Sequence, residues 1–542
     1  MAGVVPPLRW WGWGERETDI PPGLGRLLHT ELGLDTTARS RPSQRPQLPQ
    51  ARLAGDPLLE RLAEICGSDR ALTSDDARLR HAAGRSYLDL LRLRGGVLDE
   101  APDAVLLPRD EAAVAGVLRA CAAADCAVVP VGGGTSVVGG IRPLRGNHRA
   151  VVALSLRRLD GPLAIDSVDE TATLPAGASG PEAEALLNAV GLTLGHFPQS
   201  WEYATLGGFA ATRSAGQASS GYGRFDEMVL GLRCVTPRGE IVVTAHPATA
   251  AGPSMKGLVL GSEGRLGVIT EVTVRVRRAS AVQRYEAWSF TGFSAGLAAM
   301  RAMAQGGVAP DVARLSDAEE SRVGMAMAEH GGLVEQLGRR YLRLRGHEGG
   351  CLLIAGWDSD ALVAGARQAE ARSLVRRHGG VPLGSSPGMS WLRQRYSGPY
   401  LRDTLMDAGV LVETLETATS WRNVESLHAA VVAALRDALG GDHPPVVGCH
   451  VSHTYPSGAS LYFTVLAPAG EDAATRWAVA KDAATCALVD NGGTLTHHHA
   501  VGVDHRPYLE REIGSDAVRT LRAAARALDP TGIMNPGKLF PD

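Results

Sequence analysis

The chain has 542 residues, with 44% hydrophobic and 21% charged side chains and a formal net charge of −3 at pH 7. Such a length exceeds what one hydrophobic core organises, so we expect two or three domains. The small acidic excess argues against a nucleic-acid-binding protein, because neutralising a phosphate backbone requires a basic excess. The net charge is still compatible with a local basic pocket for one phosphorylated ligand.

The 7 cysteines include no C-x-x-C pair, and their odd number favours a reduced, cytoplasmic chain over a disulfide scaffold or a cysteine zinc site. We expect no secretory signal, since the N-terminal segment lacks an apolar core of signal length. The final "LFPD" is not a peroxisomal tripeptide. No apolar run approaches the roughly 20 residues that span a bilayer. Shallow contact with a membrane surface stays open.

Residues 1–97 are predicted to form an N-terminal extension and a helical segment. The stretch "TTARSRPSQRPQLPQARL", residues 36–53, has the proline- and polar-rich composition of a linker. Helical periodicity follows over residues 56–97.

A domain of alternating strands and helices is predicted over residues 98–278. "AVLLPRDEAAVAGVLRACAAADCAVVPVGGG", from Ala104, predicts strand, helix, strand and glycine loop, with Asp110 capping the helix. Further strands are predicted at "AVVALSL", "DETATLPAGAS", "GLRCVTPRGEIVV" and "GRLGVITEVTVRVRR", with a helix at "GPEAEALLNAVG".

Beyond residue 278 longer helices alternate with spaced strands, as in "YEAWSFTGFSAGLAAMRAMAQGG" and "ESLHAAVVAALRDALGG". We predict a second α+β domain over 279–505. The segment 506–542 contains a final helix, "SDAVRTLRAAARALDP", which we expect to pack back onto the first domain.

Three glycine-rich turns carry the first chemical signal. "PVGGGTSVVGG", residues 130–140, is not a P-loop, since no Gly-Lys-Ser/Thr follows, but its bare amides can surround an anion. Alone, such a turn is more often structural. It is followed in order by "PQSWEYATLGG" (198–208), a long loop of small residues (211–241) and "GSEGRLGVIT" (261–270).

These ordered motifs resemble the flavin-binding domain of the vanillyl-alcohol-oxidase/p-cresol-methylhydroxylase superfamily. With "LETATSW", "SGASLYF" and "HHHAVG", and from "WWGWGE" to "DPTGIMNPGKLF", the chain resembles the alkyldihydroxyacetonephosphate synthase (alkylglycerone-phosphate synthase) family. The resemblance implies an α+β fold with a p-cresol-methylhydroxylase-type FAD domain and a cap domain for the substrate. It also implies FAD as cofactor, bound noncovalently because the first loop lacks the attaching histidine of other members.

The resemblance places FAD against all three turns. The implied cofactor-binding residues are Pro130, Val131, Gly132, Gly133, Gly134, Thr135, Ser136, Val137, Pro198, Ser200, Glu202, Tyr203, Ala204, Thr205, Gly207, Gly208, Thr212, Glu263, Gly264, Leu266, Gly267, Val268 and Ile269.

The family's reaction joins a flavin covalently to acyl-dihydroxyacetone phosphate and replaces the fatty acid with a fatty alcohol, without net redox change. Tyr462 matches the tyrosine that removes a proton from the carbon beside the carbonyl. His497, His498 and His499 match the histidines that order this tyrosine, as cations or hydrogen-bond partners, and polarise the ketone. Without the resemblance, Tyr462 is more simply a strand-face aromatic.

The histidine run has two competing interpretations, a polar surface loop and a metal site. On an extended stretch adjacent side chains point to alternate sides, so at most two of the three share a face. We therefore expect no metal site from this run alone. Arg402 in "YLRDTLMDAG" matches the arginine of the substrate's phosphate end, and Arg314 in "VARLSD" matches another arginine near the flavin. Guanidinium groups grip phosphate or carboxylate with two donors, although both could be ordinary surface residues.

The sequence departs from the family pattern at Pro456 and Ser457, where an acidic and a small residue are usual, and at Ala500, where glycine is usual. Because of these departures, the resemblance does not determine the identity of the substrate. The competing functions are an FAD-linked oxidoreductase of a 2-hydroxy acid or similar anion, and a non-catalytic flavin- or metal-binding protein. We expect a lipid-like phosphate as substrate, no nucleic acid, and a homodimer.

Overall fold

The computed structural model describes residues 8–161, 163–280, 282–328, 333–359 and 361–541. Within these residues the chain folds into a four-stranded, a five-stranded, a seven-stranded and a small two-stranded sheet, with helices between the strands. Among the described residues, no helix combines the length and the apolar character that crossing a bilayer requires.

The N-terminal region is a set of short helices with one short strand. Its elements are α1 (Pro22–Leu32), α2 (Pro57–Cys66), β1 (Ala71–Leu72), α3 (Asp75–Arg80) and α4 (Tyr87–Arg94). Side chains immediately before three helices fix their starts: Asp56 accepts from Leu58 N, Ser74 from Ala77 N and Ser86 from Asp89 N.

The four-stranded sheet begins the region of the glycine turns. It contains β1 with β2 (Ala104–Leu106), β3 (Cys126–Val131) and β4 (Ala150–Ser155), in the order β1-β2-β4-β3, and α5 (Glu111–Ala123) connects β2 to β3. The predicted cap of α5 is confirmed, since Asp110 accepts from Ala113 N at 2.9 Å. Because β2, β4 and β3 run parallel, the loop after β3 emerges at the carboxyl edge of the sheet, where α/β folds bind ligands.

The five-stranded antiparallel sheet follows, in the order β5-β6-β10-β8-β9. The elements of this part are β5 (Ala164–Asp166), β6 (Thr171–Pro175), α6 (Gly180–Asn188), β7 (Leu192–Thr193), α7 (Leu206–Thr212), α8 (Ser219–Tyr222), α9 (Phe225–Met228), β8 (Val229–Thr236), β9 (Gly239–Val243), α10 (Met255–Val259), β10 (Val268–Arg275) and β11 (Arg277–Arg278).

The seven-stranded antiparallel sheet forms the cap, in the order β15-β12-β14-β13-β17-β18-β16. Its elements are β12 (Val282–Phe290), α11 (Phe293–Gln305), β13 (Val312–Ser316), α12 (Ala318–Met327), α13 (Leu333–Leu344), β14 (Cys351–Ser359), α14 (Ala361–Arg377), β15 (Val381–Gly384), α15 (Ser386–Gln394), α16 (Gly398–Asp407), β16 (Val410–Ser420), α17 (Val424–Leu439), β17 (Val446–Thr454), β18 (Gly458–Pro468) and α18 (Ala473–Asp490).

The cap and the five-stranded sheet share one hydrophobic core. Tyr285, Ala287, Val312 and Ile354 of the cap are buried in the same cluster as the apolar face of β6, β8 and β10. Because interiors are close-packed, this contact fixes the cap against the glycine turns. The two parts therefore hold a site between them in one geometry.

The C-terminal segment crosses back to the glycine turns. It contains α19 (Leu509–Ile513) and α20 (Ser515–Leu528), and Val518 and Ala525 of α20 pack in a cluster with Leu266 of the third turn. Beyond the helix, Met534 pairs in parallel with Val128 of β3. The chain end thus extends the four-stranded sheet by one bridge.

Candidate active site

The first glycine loop, residues 130–140, packs directly on the second turn. A Cβ added to Gly133 would overlap the carbonyl oxygen of Tyr203, and one added to Gly132 would overlap the hydroxyl of Thr205. Within the described residues, the backbone N–H groups of 132–137 have no hydrogen-bond acceptor. A row of free amides without side-chain shielding fits the pyrophosphate of a dinucleotide.

The second and third turns close around the first. Thr205 caps α7 by accepting from Gly208 N at 3.2 Å, and Gly261 N of the third turn donates to Ala210 O at 3.0 Å. The structure therefore brings the predicted cofactor residues of the three turns together. Glu202 instead points at the cap, where its carboxylate accepts from the hydroxyl of Tyr400 at 3.0 Å.

The segment after the histidine run is tied to two of these turns. Val503 N donates to Val138 O of the first loop at 2.9 Å. Val501 N and Gly502 N donate to the two carboxylate oxygens of Glu263 at 2.8 and 2.7 Å. Burial raises the pKa of Glu263 to about 7, against the lowering effect of these two hydrogen bonds. The run 497–499 consequently stands beside the first and third glycine turns.

Glu416 of β16 holds the histidine run from the cap side. Its carboxylate accepts from the backbone N–H groups of His497 at 2.6 Å and His499 at 2.9 Å, and from the Thr496 hydroxyl. Burial acts to raise the pKa of Glu416, but the charge that the surrounding imidazoles carry when protonated and the Thr496 hydrogen bond outweigh it and hold the pKa well below its usual range. The sequence argument missed Glu416, although a glutamate inside the apolar strand "VLVETLETATS" was a signal for it.

Tyr462 lies on β18 opposite Glu416 of β16 and His450 of β17. Its ring stacks on His450 with centroids 4.9 Å apart, and lies 6.0 Å from His498 and 5.6 Å from His499. The structure therefore brings the predicted tyrosine together with two members of the histidine run. Burial raises the pKa of Tyr462 to about 12.

Two features of the histidine run bear on its predicted role: the conformation of its backbone and the pKa values of its imidazoles. The run bends at all three residues and is not the extended stretch assumed from the sequence. Burial also lowers the pKa of His497 and of His499 to about 3 and lowers that of His498. The imidazoles are thus neutral near pH 7, so of the two predicted forms of assistance to Tyr462, from cationic or from hydrogen-bonding histidines, these surroundings favour hydrogen bonding.

Arg314 and Arg402 have different surroundings. Both terminal nitrogens of Arg314 are engaged, by His450 Nε2 at 3.1 Å and Glu320 at 3.0 Å. Because Nε2 of His450 accepts, its Nδ1 carries the proton and donates to Glu320 at 2.9 Å. The sequence argument missed His450 and Glu320. Arg314 therefore fixes the ring that stacks on the catalytic candidate Tyr462.

Arg402 keeps most of its donors free. One terminal nitrogen donates to Arg85 O at 2.6 Å, whereas its Nε and Nη2 are buried and have no partner among the described residues. Its charge acts to lower the pKa of Glu413, whose carboxylate in turn raises that of Tyr462. Arg402 is thus a half-buried cation near the same wall of the cap with two buried, unpartnered nitrogens, as an anion-binding residue should be.

A second group of residues was missed altogether. A β-bulge in β17 places His453 in a left-handed conformation, φ 50°, and turns its ring towards the run. The ring of His453 lies 5.1 Å from His497 and 5.4 Å from His498. Ser219 bonds His453 Nδ1, and Tyr455 OH lies 2.6 Å from His497 Nε2. The histidines in "CHVSHTY" were the signal, but only strand pairing reveals where they point.

Comparison with known proteins defines the class first. Residues 102–245 match the FAD binding domain family, and residues 279–539 match the family described as FAD linked oxidases, C-terminal domain. The protein is therefore an FAD-linked enzyme. The predicted FAD cofactor and α+β architecture are confirmed.

The particular family follows from closer relatives. An alkyldihydroxyacetonephosphate synthase of Trypanosoma brucei brucei is 31% identical over 495 residues, covering 90% of this chain and 81% of that protein. One of Dictyostelium discoideum is 32% identical over 474 residues, covering 86% and 77%. A solved alkyldihydroxyacetonephosphate synthase structure matches with a TM-score of 0.81 at 28% identity over 98% of both chains. The chain belongs to the alkyldihydroxyacetonephosphate synthase family.

Proposed function

We propose that this protein exchanges the acyl chain of acyl-dihydroxyacetone phosphate for a fatty alcohol. The bond from carbon to the carboxylate oxygen breaks, a bond from the same carbon to the alcohol oxygen forms, and the fatty acid leaves. The observation that carries the proposal is the position of Tyr462, a half-buried tyrosine among neutral imidazoles on the wall beside the flavin-binding turns. No net oxidation occurs.

Tyr462 is the residue we assign to proton removal from the carbon beside the carbonyl. With a pKa of about 12, forming its phenolate at pH 7 costs about 7 kcal/mol, at about 1.4 kcal/mol for each pKa unit. A phenolate formed at that cost is a strong base, so its population limits the step. His498 and His499 orient the phenol and can donate hydrogen bonds to the ketone oxygen, since each neutral ring keeps one N–H.

Arg402 is the residue we assign to the phosphate. Its two buried nitrogens without a partner among the described residues, Nε and Nη2, match the geometry of a phosphate, and the anion would supply the acceptors that their N–H groups lack. Arg314 was grouped with Arg402 as a substrate-binding residue, but its terminal nitrogens are engaged by Glu320 and His450. We assign it to positioning His450 beneath Tyr462.

FAD is held noncovalently in this proposal, because residues 130–140 contain no histidine or cysteine to attach it. We assign the predicted cofactor-binding residues of the three turns to FAD, as predicted from the sequence. When bound, the flavin supplies the covalent catalysis that divides one substitution into two easier steps. The chain's own contribution is to bind the phosphate, hold the proton acceptor and exclude water.

The decisive experiment is anaerobic. Yellow holoenzyme is mixed with acyl-dihydroxyacetone phosphate and a labelled fatty alcohol, and ether product and free fatty acid are quantified. Equal amounts of both, with the flavin still oxidised at the end, support the proposal. The alternative function, oxidation of a 2-hydroxy acid, predicts instead that such acids bleach the flavin until air is admitted and that no ether forms. That result would overturn the proposal.

We also propose peripheral contact with a membrane through α13. Leu337 and Leu344 lie two turns apart on this helix and are 65% and 76% exposed, and Arg340 is exposed beside them. Co-sedimentation with anionic vesicles should fall in a double variant, L337S with L344S, and persist in L362S, where another exposed leucine lies on α14. Equal binding by both variants would contradict this role. For the assembly we propose a homodimer, which light scattering tests directly.

A further inference from the structure

We propose that His453, His497 and His498 form a binding site for one divalent transition-metal ion. This inference goes beyond the proposed function, which uses no metal. The three rings come from β17 and from the bend before residue 500. One coordinating nitrogen from each ring can be chosen so that all three lie within 4.8 Å of one another.

The spacing of the rings is close to that of a three-histidine metal site. Their centroids form a nearly equilateral triangle, with sides of 5.1, 5.4 and 5.3 Å. For zinc-to-nitrogen bonds of about 2.0–2.1 Å in tetrahedral geometry, the nitrogens are about 3.3 Å apart and the ring centroids about 5 Å apart. Small rotations of these side chains would therefore bring three nitrogens to one ion.

The outward nitrogens of two rings already have partners. Ser219 bonds Nδ1 of His453, which leaves Nε2 available, and Tyr455 OH bonds Nε2 of His497 at 2.6 Å, which leaves Nδ1 available. The available Nδ1 of His497 lies 3.0 Å from Nδ1 of His498. A hydrogen bond to the outer nitrogen of a ligating histidine fixes the orientation and tautomer of its ring. Here they leave the inner nitrogens facing one another.

The cluster also has a fixed frame and a compensating charge. The backbone of the run is bound to the Glu416 carboxylate, one oxygen of which lies 3.4 Å from His498 Nδ1. This carboxylate supplies negative charge beside the proposed cation. Three imidazoles select borderline ions such as Zn²⁺ or Co²⁺ over Mg²⁺ or Ca²⁺, which prefer oxygen ligands.

Three protein ligands leave one tetrahedral position open, the arrangement of catalytic rather than structural zinc sites. Since Tyr462 packs beside His498, an oxygen bound at that position would lie on the same wall as the phenol. The ion would act there as a Lewis acid on a carbonyl oxygen.

The test uses the FAD-loaded holoenzyme, dialysed against a chelator and titrated with Co²⁺. We expect one Co²⁺ per FAD, with the visible absorption of a tetrahedral cobalt–imidazole site. H453Q and H498Q should each weaken binding at least about 100-fold. H499Q is the matched control, because His499 belongs to the same run and the same Glu416 anchor but not to the cluster. It should bind Co²⁺ like the parent.

Two further variants address the outer hydrogen bonds. S219A and Y455F should each weaken Co²⁺ binding about 10-fold, with flavin absorbance unchanged as a check on folding. A dissociation constant weaker than about 1 mM in the parent, or equal affinity in the parent, H453Q and H498Q, would overturn the metal site. The readout is cobalt absorption and elemental content, so the metal site can fail while ether formation is observed, and the reverse.

Discussion

The two walls of the candidate active site differ in composition, since one consists mainly of backbone groups and the other of side chains. The flavin side consists of backbone: bare amides of residues 132–137 and carbonyl contacts between turns that only glycine permits. The cap side consists of side chains, with a phenol, five imidazoles and a carboxylate from β16, β17, β18 and the histidine run. We expect the backbone side to hold the cofactor and the side-chain side to determine the reaction.

The largest effect should come from breaking the backbone wall. In G133A the added methyl meets the Tyr203 carbonyl, which is backbone and cannot move aside. We expect the purified variant to lack FAD, seen as loss of the visible flavin spectrum, and to lose all activity. G239A, where the new methyl has open space, should retain one FAD per chain. A yellow, active G133A would mean that the turns do not pack as described.

Breaking the side-chain wall should leave the cofactor in place. We expect Y462F to bind FAD normally and to lose about 10³-fold in kcat/KM for ether formation, the usual size of a lost general base. Since the pKa of Tyr462 is raised to about 12, the phenolate fraction grows with pH, so parent activity should rise about tenfold per pH unit from 7 to 9.

The same pH profile supplies the control for that prediction. Y462F should lose the alkaline slope as well as the rate, because no phenolate remains to be formed. Y455F removes a neighbouring phenol that bonds His497 rather than facing His450, so it should keep the slope. A parent profile that is flat from pH 7 to 9 would exclude Tyr462 as the proton acceptor.

The contrast between the walls also explains what the sequence could reveal. Local glycine patterns predicted the three turns, because each turn's conformation depends on adjacent residues, and the family resemblance assigned them to the flavin. Tyr462 and the histidine run came from resemblance, which reported residue types but not their charge. Glu416 and His453 stayed hidden because strand register and a β-bulge, both long-range features, place them.

Glu263 connects the two walls, and its ionisation should make stability depend on pH. Its pKa in the folded protein, about 7, exceeds the ordinary glutamate value of 4.5, so between these two pH values the folded state holds a proton that the unfolded state has released. Stability therefore falls as pH rises from about 4.5 to 7, by up to about 3 kcal/mol, and is constant above that window.

Thermal unfolding of the holoenzyme across that window measures this contribution. E263Q carries no titratable group at the position, so the difference between parent and variant should shrink towards low pH and widen towards pH 7. E60Q, on an exposed position of α2, should leave the parent's pH profile unchanged. Parallel profiles for the parent and E263Q would show that Glu263 does not hold the extra proton.

The smallest effect is expected for a substitution at Ala500, in the segment that connects the two walls. This alanine has φ 75°, a left-handed conformation that costs a residue with a Cβ about 1–2 kcal/mol and glycine very little. A500G should therefore raise the free energy of unfolding by about 1 kcal/mol, after the greater freedom of glycine in the unfolded chain is subtracted. The opposite sign is expected for A302G inside α11, where glycine costs about 1 kcal/mol. Both are read from the unfolding midpoint of the holoenzyme. If A500G also leaves the alkaline slope of activity intact, the backbone strain at residue 500 has no role in the reaction. The glycine usual in the family is then simply the more stable residue at this position.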